Sequence, residues 1–460
     1  MVNPRDRACF DFIGKLARAI VVAALLAGAA TADIIDPLNV PASLALPSGV
    51  AEVERSVEQF RTGDFDGCQA SLAAAVKRDQ TLLPSRLLFA KVCLIHRRRD
   101  MARAALDRFA VEEPAHPEIP LILGRLALED RRWTEATILF RVGLDALEKS
   151  TLPPDLVRGL RGDGFSGLAI ASQGRSDWIG AEAAWKALIA VEPRLARAKV
   201  GLGEALFHRG NRDEALASFQ KARLDDARLE PATLALARLV ASTRPVNEAE
   251  DAFVRAAKGD PDDARTRLAL AQFLAEQDRP AEAQVEAEAA GKLVPRSDDV
   301  RYLQGILALD RGAYAEAEAI GRSLHEADPG SMIASDLWAS ALVEQPDESL
   351  KHKAATIAGL NVRLRPQSAQ ARATLGWIEY RRGRLAEAEE QLRAALATGT
   401  ASSDAVYALA RVLSDRGRFD EAAGLVKAAL EAKGRFRFRR DAVVLRDQLA
   451  KRPKINPPGS

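Results

Sequence analysis

The chain has few of the residues on which most catalytic and metal-binding sites depend. Its 460 residues include three cysteines and five histidines, and aromatic residues make up only 5%. No two histidines lie at metal-ligand spacing, and none pairs with a cysteine in a C-x-x-C arrangement. The nucleophile pattern G-x-S-x-G and the phosphate-binding pattern G-x-x-x-x-G-K-[ST] are also missing. The sequence therefore predicts no catalytic residue, no metal site and no cofactor, and we do not expect an enzyme.

A strong excess of either charge is also missing. The first 32 residues combine a basic start, an uncharged run over 19–30 and an A-x-A pattern at 30–32, which predicts a signal peptide cleaved after Ala32. It holds four of the 66 basic and two of the 64 acidic residues, so the remainder carries 62 of each. We expect an exported, periplasmic protein without bulk attraction to nucleic acid and without stable membrane insertion after cleavage. An uncleaved peptide that tethers the chain to the inner membrane remains the alternative.

Cleavage would remove Cys9 and leave Cys68 and Cys93. An exported protein could oxidise this pair to a disulfide. Each cysteine also occupies a position where the patterns described below place glycine or alanine, which favours small buried thiols. The sequence leaves both interpretations open.

Runs of β-branched residues are scarce, whereas Ala, Leu, Glu and Arg are abundant, so we expect helices and no sheet. One series of alanines recurs at intervals of 34 residues. The series continues after one interval of 37 residues, and Ala136, Ala105 and Cys68 precede it at less regular intervals. Its members are Ala181, Ala215, Ala249, Ala283, Ala317, Ala354, Ala388 and Ala422. Such a period indicates a repeat architecture with eight to eleven copies.

Other positions keep the same period. Twelve residues before most of these alanines lies another small residue, as at Gly203 and Gly376, and four residues after lies a large apolar one, as at Phe219 and Leu392. Two facing small residues allow helices to approach closely, to the short end of about 8–10 Å between axes. The large side chain is then predicted to fill the space beyond them.

Breaker residues mark where the helices end. Glycine stands at the end of several first helices, where a left-handed residue is favoured, and proline stands twelve residues after the alanine in several copies. These positions are Gly210, Gly312, Gly383 and Gly417, and Pro193, Pro261, Pro295, Pro329 and Pro366. The combined pattern resembles the tetratricopeptide repeat family over roughly residues 50–430. The resemblance implies an all-α fold, a right-handed superhelical solenoid of helix-turn-helix repeats.

On this register the chain divides into seven segments. We predict a signal peptide (1–32), a short linker (33–49), degenerate N-terminal repeats (50–150), an irregular insertion (151–167), a regular array (168–433), a C-terminal capping helix (434–452) and a disordered tail (453–460).

Two short motifs invite a functional interpretation. Residues 162–167, GDGFSG, match G-x-G-x-x-G, but what precedes them is proline-rich and charged, and a dinucleotide site requires a strand there. We interpret the motif as a flexible entry into the next repeat. Residues 435–440, RFRFRR, interleave cations with aromatics, as in single-stranded nucleic-acid binding. The interpretation we favour is that Phe436 and Phe438 pack under the final repeat while the arginines stay in water.

In the family that the pattern resembles, the first helix of each repeat lines the concave face. By register, that face here includes Arg125, Glu204, Arg238, Gln272, Tyr302, Ile306, Trp377, Tyr380, Tyr407 and Arg411. Aromatic residues and arginine dominate binding hot spots. Ordinary packing between helices would explain the same residues equally well.

We therefore expect a non-enzymatic adaptor that binds a protein or peptide in this groove. The partner-binding residues would be Trp377, Tyr380, Tyr407, Arg411, Tyr302, Arg238 and Glu204. A structural spacer in a cell-envelope or polysaccharide-export assembly is the alternative. The sequence gives neither the partner's identity nor the oligomeric state, and we expect no nucleic acid among the partners.

Overall fold

The computed structural model describes residues 42–451. Within that range the chain forms 23 α-helices and a short 3-10 helix, Ala42–Leu44, and no strand. The predicted all-α fold, a solenoid of helical repeats, is confirmed. The predicted signal peptide, 1–32, and the predicted tail, 453–460, lie outside the described residues.

The chain divides into two compact units, whose described parts are 42–239 and 240–451, and the boundary falls inside α11. The helices up to this boundary are α1 (Ala51–Thr62), α2 (Phe65–Arg78), α3 (Ser85–Ile95), α4 (Arg99–Glu112), α5 (Glu118–Glu129), α6 (Trp133–Glu148), α7 (Pro154–Gly174), α8 (Trp178–Val191), α9 (Ala196–His208), α10 (Arg212–Asp225) and α11 (Ala232–Thr243).

The second unit continues with twelve helices. They are α12 (Val246–Gly259), α13 (Ala264–Glu276), α14 (Pro280–Leu293), α15 (Asp298–Asp310), α16 (Tyr314–Ala327), α17 (Met332–Val343), α18 (Glu348–Leu364), α19 (Ala369–Arg381), α20 (Leu385–Ala397), α21 (Ser403–Asp415), α22 (Phe419–Glu431) and α23 (Arg439–Ala450). Odd-numbered helices up to α21 are the first helices of their repeats, and even-numbered helices are the second.

Close packing between the two helices of a repeat follows the predicted small–large pattern. A Cβ built on Gly376 of α19 would lie 2.6 Å from Cγ of Leu392 on α20, and one on Gly203 of α9 would lie 2.5 Å from the Phe219 ring on α10. The alanine of the period is fully buried at most copies, including Ala388. The predicted register, with a large side chain seated over a small one, is therefore confirmed.

The helix ends also fall where the breakers predict. Gly210, Gly312 and Gly383 have φ between 78° and 92°, the left-handed region in which a side chain is disfavoured. Second helix α14 ends at Leu293 and α16 at Ala327, in each case two residues before a proline. The turn chemistry thus sets the lengths of the helices, and with them the period.

The predicted irregular insertion, 151–167, is wrong for most of its length, because residues from 154 onward belong to the 21-residue helix α7. Pro154 is tolerated because it stands at the first helical position. The glycines serve close packing rather than flexibility. A Cβ on Gly164 would lie 2.7 Å from Leu144, and one on Gly167 would lie 2.2 Å from Phe140. The G-x-G-x-x-G motif is thus part of a packed helix.

Several smaller predictions have outcomes as well. Cys68 and Cys93 are both buried and free. The predicted capping helix, 434–452, is helical only over Arg439–Ala450, where Ala442 and Leu445 are buried against α22. Across residues 42–451, no helix combines the length and apolar character needed to cross a membrane.

Candidate functional site

Five first helices of the second unit form one continuous layer. α13 contacts α15, α15 contacts α17, and the series continues through α19 to α21. Each of the last four begins after a serine whose hydroxyl accepts a backbone N–H from the first turn, which satisfies a donor that the helix leaves free. These caps are Ser297, Ser331, Ser368 and Ser402. They fix the start of each helix and therefore align the opposite ends.

A short segment of the same unit crosses this layer. Residues 435–439, with the sequence RFRFR, are called here the arginine–phenylalanine segment. α22 ends at Glu431, and Ala432 has an extended backbone with ψ of 140°. Gly434 follows with φ of 104°, which favours glycine. These residues carry the chain from the last second helix onto the face of the first helices.

Arg435 makes the best-satisfied ion pair of the segment. Its Nε donates to Oδ2 of Asp310 at 2.8 Å, and its Nη2 contacts the other carboxylate oxygen. Such two-point contact between guanidinium and carboxylate is among the strongest charged hydrogen bonds. The carboxylate of Asp404 lies 3.8 Å from Nη1 of Arg435. The side chain of Asp310 is only 9% exposed, so its charge depends on this arginine for compensation.

Arg437 binds a second buried carboxylate, that of Glu344. Its Nη2 donates to Oε1 at 2.9 Å, and the two side chains are 10% and 4% exposed. The same oxygen accepts the indole N–H of Trp377 at 2.9 Å, and Oε2 lies 3.2 Å from Arg381. Glu344 thus joins the segment to helix α19.

The third arginine pairs with a residue in the turn after α13. Nε of Arg439 lies 3.0 Å from Oδ2 of Asp278, which has φ of 61° at the end of its helix. Asp310 and Glu344 also stand at the ends of first helices and are 34 residues apart. Three successive repeats therefore each present one acidic residue to one arginine.

The reach of the segment shows that the layer is curved. Arg435 alone pairs with Asp310 on α15 and lies 3.8 Å from Asp404 on α21, whereas helices three places apart in a flat layer would stand roughly 24–30 Å from one another. The segment nevertheless reaches from Asp278, after α13, to Tyr407 on α21. The first helices must curve around it, and we call this concave face of α13, α15, α17, α19 and α21 the C-terminal groove.

The two phenylalanines of the segment lie on aromatic side chains of the groove. Phe438 stacks on Tyr407 with ring centroids 5.4 Å apart and meets Trp377 at a tilt with centroids 4.6 Å apart. Phe436 is 1% exposed and meets Tyr407 edge-on at 6.1 Å. Aromatic contacts in these arrangements are worth about 0.5–1.5 kcal/mol beyond the area they bury.

A polar chain lies beside this aromatic cluster. Nε of Arg411 donates to the hydroxyl of Tyr380 at 2.9 Å, and that hydroxyl donates to Asp415 at 2.8 Å. The Tyr380 ring lies 5.2 Å from that of Trp377. About a third of the Arg411 side chain is exposed, so this residue marks the rim of the groove.

Burial and charge shift several pKa values in the groove. Burial raises the pKa of Asp404, against the opposing effect of Arg435. Burial also raises the pKa of Tyr407 to about 12, with a further contribution from Asp441. Burial alone would lower the pKa of Arg435, but its hydrogen bond to Asp310 raises that pKa overall. Arg435 therefore stays charged, and the groove favours a cationic side chain at this position.

The structure brings five of the predicted partner-binding residues to this groove. Trp377, Tyr380, Tyr407 and Arg411 form the cluster just described. Tyr302 lies on α15, and the charge of Arg435 acts on its hydroxyl, whose pKa burial raises.

Arg238 and Glu204 belong to the first unit. Arg238 pairs with Glu230 at 2.9 Å, and Glu204 accepts from Gln173 at 3.1 Å. Of the remaining residues of the predicted face, Arg125 also belongs to the first unit, and Gln272 and Ile306 have no described contact with the segment.

Sequence reasoning missed the three acidic residues and misplaced the arginines. The prediction that Phe436 and Phe438 pack under the final repeat is confirmed, since both rings contact Tyr407 of α21. The prediction that the arginines stay in water is wrong, because Arg435, Arg437 and Arg439 are ion-paired. The 34-residue spacing of Asp310 and Glu344 was the signal that could have revealed their shared role.

The first unit covers its own first helices in a different way. The 3-10 helix Ala42–Leu44 contacts α3, α5 and α7. Oδ2 of Asp163 accepts the backbone N–H of Ser43 at 2.7 Å. Lys91 and Glu118, both fully buried, pair at 2.6 Å beneath this segment. Part of the predicted linker, 33–49, is therefore packed against the repeats. Among residues 42–451, no group of three or more histidine, cysteine or acidic residues is placed to hold a metal ion.

Successive antiparallel helix pairs with a 34-residue period define an α-helical repeat protein. Profiles of the tetratricopeptide repeat match residues 379–438, residues 264–289, and three further segments, 96–150, 167–228 and 284–331. These segments together cover about half of the chain. The chain belongs to the tetratricopeptide repeat family, and none of the matched profiles describes a catalytic family.

Solved structures of other repeat proteins resemble the chain only distantly. A tetratricopeptide repeat protein of Thermus thermophilus is 23% identical, with a TM-score of 0.35, over 41% of this chain and 97% of that one. One from Parabacteroides merdae is 13% identical, with a TM-score of 0.39, over 63% and 100%. Yeast Tom70 is 13% identical, with a TM-score of 0.35, over 87% and 95%. A search of curated proteins gave no match.

Proposed function

We propose that the chain is a protein-interaction scaffold whose C-terminal groove binds a segment of a partner protein. Membership of the tetratricopeptide repeat family supports a protein-binding scaffold in general. The observation that carries the finer proposal is that a peptide segment, 435–439, which is non-helical as far as Phe438, already lies in the groove and is held there by side chains from successive repeats.

The chemistry of the groove suits peptide binding rather than catalysis. Trp377 and Tyr407 offer flat apolar surfaces, and Glu344 and Asp310 offer carboxylates of low exposure. Aromatic anchors in desolvated positions carry most of the affinity in protein interfaces. Fixed charges beside them set which partner fits, because an unmatched charge is costly to bury.

A photo-crosslinking experiment in cells tests this proposal. A photoreactive phenylalanine replaces Arg411 at the groove rim in one strain and Leu360 on α18 in another. Leu360 is 47% exposed on a second helix, so it serves as the matched control. The proposal predicts that a discrete crosslinked protein forms at position 411 and not at 360. Equal crosslinking at both positions, or none at 411, would overturn it.

We also propose that the chain is exported to the periplasm, as residues 1–32 favour. Cell fractionation followed by N-terminal sequencing of the recovered chain tests this separately. A mature chain that begins at Asp33 is expected in the periplasmic fraction. Recovery of the intact chain with the cytoplasm would contradict export.

A further inference from the structure

The arginine–phenylalanine segment is attached to the groove mainly by its side chains. Its bonds between backbone groups are local, since the N–H of Ala432 donates to Ala428 and the N–H of Arg439 donates to Phe436. Among the described residues, no backbone–backbone hydrogen bond joins 432–438 to another repeat. Arg439 is the first residue of α23, and the carbonyl of Phe438 accepts the N–H of Ala442 in the first turn of that helix. Residues 435–437 can therefore leave the groove without breaking a helix.

If the segment left the groove, Asp310 and Glu344 would each lose an arginine partner. The side chains of Asp310 and Glu344 are 9% and 4% exposed, and each has an arginine partner from the segment. Removing one partner of a buried ion pair leaves an uncompensated charge, which is strongly unfavourable. Glu344 would keep Arg381 at 3.2 Å, whereas Asp310 would lose its arginine. A peptide that replaces the segment must therefore bring a cation to Asp310, and it must also cover Trp377 and Tyr407.

The segment shows how the cations and aromatic rings of a replacing peptide would be spaced. Arginine occupies every second position, at 435, 437 and 439, and phenylalanine fills the positions between them. Each arginine meets an acidic residue of a different repeat, whereas both phenylalanines meet the aromatic cluster of α19 and α21. The arginines do not meet the repeats in chain order, because Arg435, Arg437 and Arg439 pair with Asp310, Glu344 and Asp278. What the segment presents to the groove is the alternation of a cation with an aromatic ring.

We propose that the C-terminal groove recognises partner segments in which arginine alternates with an aromatic residue, and that residues 435–439 occupy it as a built-in competitor. This inference rests on the proposed function and adds the chemistry of the partner segment. A tethered competitor acts at an effective concentration of the order of millimolar. The apparent affinity of any partner is then its intrinsic affinity multiplied by the fraction of chains in which the groove is open.

Peptide binding to the purified chain tests the proposal. The probe is a fluorescent peptide of residues 433–440, KGRFRFRR, and its binding is measured by fluorescence anisotropy. We expect the Arg435→Ala/Arg437→Ala variant to bind this peptide at least tenfold more tightly than the wild-type chain does. We also expect the isomeric peptide KGRRFFRR to bind that variant at least tenfold more weakly, because its phenylalanines are adjacent. Equal binding of the two peptides would overturn the proposal, because charge alone would then explain it.

Two further variants allow the peptide-binding test to be carried out even if the double variant is unfolded. If the double variant melts below the assay temperature, Phe438→Ala opens the groove by removing the stacked ring and is expected to tighten peptide binding in the same direction. Adding Glu344→Gln to either opened chain should weaken peptide binding at least fivefold. No peptide binding by a folded, opened chain would overturn the ligand class, whereas crosslinking at position 411 would still support the proposed function.

Discussion

Asp336 on α17 is a carboxylate that the fold buries with incomplete compensation. Its Oδ1 accepts a hydrogen bond from Asn361 at 2.8 Å, while Oδ2 is buried without a partner. Burial raises the pKa of this carboxyl to about 6. Between about pH 4 and pH 6 the unfolded chain has already released the proton that the folded chain still holds, so stability falls as pH rises.

The substitution Asp336→Asn removes this titration and keeps an acceptor for Asn361. We expect the variant to be more stable than the wild type at pH 7.5 by about 1–3 kcal/mol, and nearly equal to it at pH 4. Urea unfolding at both pH values measures the difference. Asp299→Asn, at an exposed position on α15, is the control and should show no such trend. A pH dependence in Asp336→Asn identical to that of the wild type would contradict the account.

The burial of Asp336 could not be predicted from the sequence. Asp336 follows two small residues in an ordinary helical stretch, and nothing in its spacing distinguishes it from a solvated acid. By contrast, Trp377 and Tyr380 were identifiable because they depart from the repeat while keeping its register. Sequence patterns reveal a residue's position in the period, but the compensation of its charge depends on side chains from other repeats.

Within a helix pair, the small residue of the first helix is the critical position. Gly376 on α19 would place a Cβ 2.6 Å from Leu392 and 3.2 Å from the carbonyl oxygen of Ala388. We expect Gly376→Leu to lower the free energy of unfolding by about 1–3 kcal/mol, because it overpacks the contact with α20.

Gly424 on α22 provides the matched control. A Cβ there would meet nothing within 4 Å, and the position is exposed. Gly424→Leu should therefore raise stability by roughly 0.5–1 kcal/mol, through helix propensity alone. Thermal and urea unfolding of the two variants measure both effects. Losses of equal size at the two positions would show that the assigned register is wrong.

The positions of the helices were largely predictable from the sequence, and the main error concerns residues 151–167. Glycine and proline usually interrupt helices, so residues 151–167 read as irregular. In α7 the same glycines admit Leu144 and Phe140 to within contact of the backbone. Packing between helices offsets the lower helix propensity of glycine. These contacts can be recognised only when the position of the neighbouring helix is known.

At the scale of the molecule, the groove and its occupant are joined across 125 residues. Arg435 and Asp310 form one such long-range link. A double-mutant cycle with Arg435→Ala and Asp310→Asn should give a coupling energy of about 1–3 kcal/mol, as residues that share one charged network do. Urea unfolding of the four chains supplies it. Additivity within about 0.5 kcal/mol would show that the contact contributes nothing to stability.

The sequence predicted the face that forms the groove but not its occupant. Register alone placed Trp377, Tyr407 and Tyr302 on one face of successive first helices. The return of residues 435–439 to that face depends on the backbone at Ala432 and Gly434 and on acids from three distant repeats. No local pattern encodes that return.

Peptide selection tests most directly whether the groove recognises alternating basic and aromatic residues. A random peptide library is selected on the Arg435→Ala/Arg437→Ala chain, with the wild-type chain as the comparison. The account predicts enrichment, on the opened chain, of peptides in which basic and aromatic residues alternate, and displacement of those peptides by KGRFRFRR. Enrichment of acidic peptides, or of basic peptides without regularly placed aromatic residues, would contradict it.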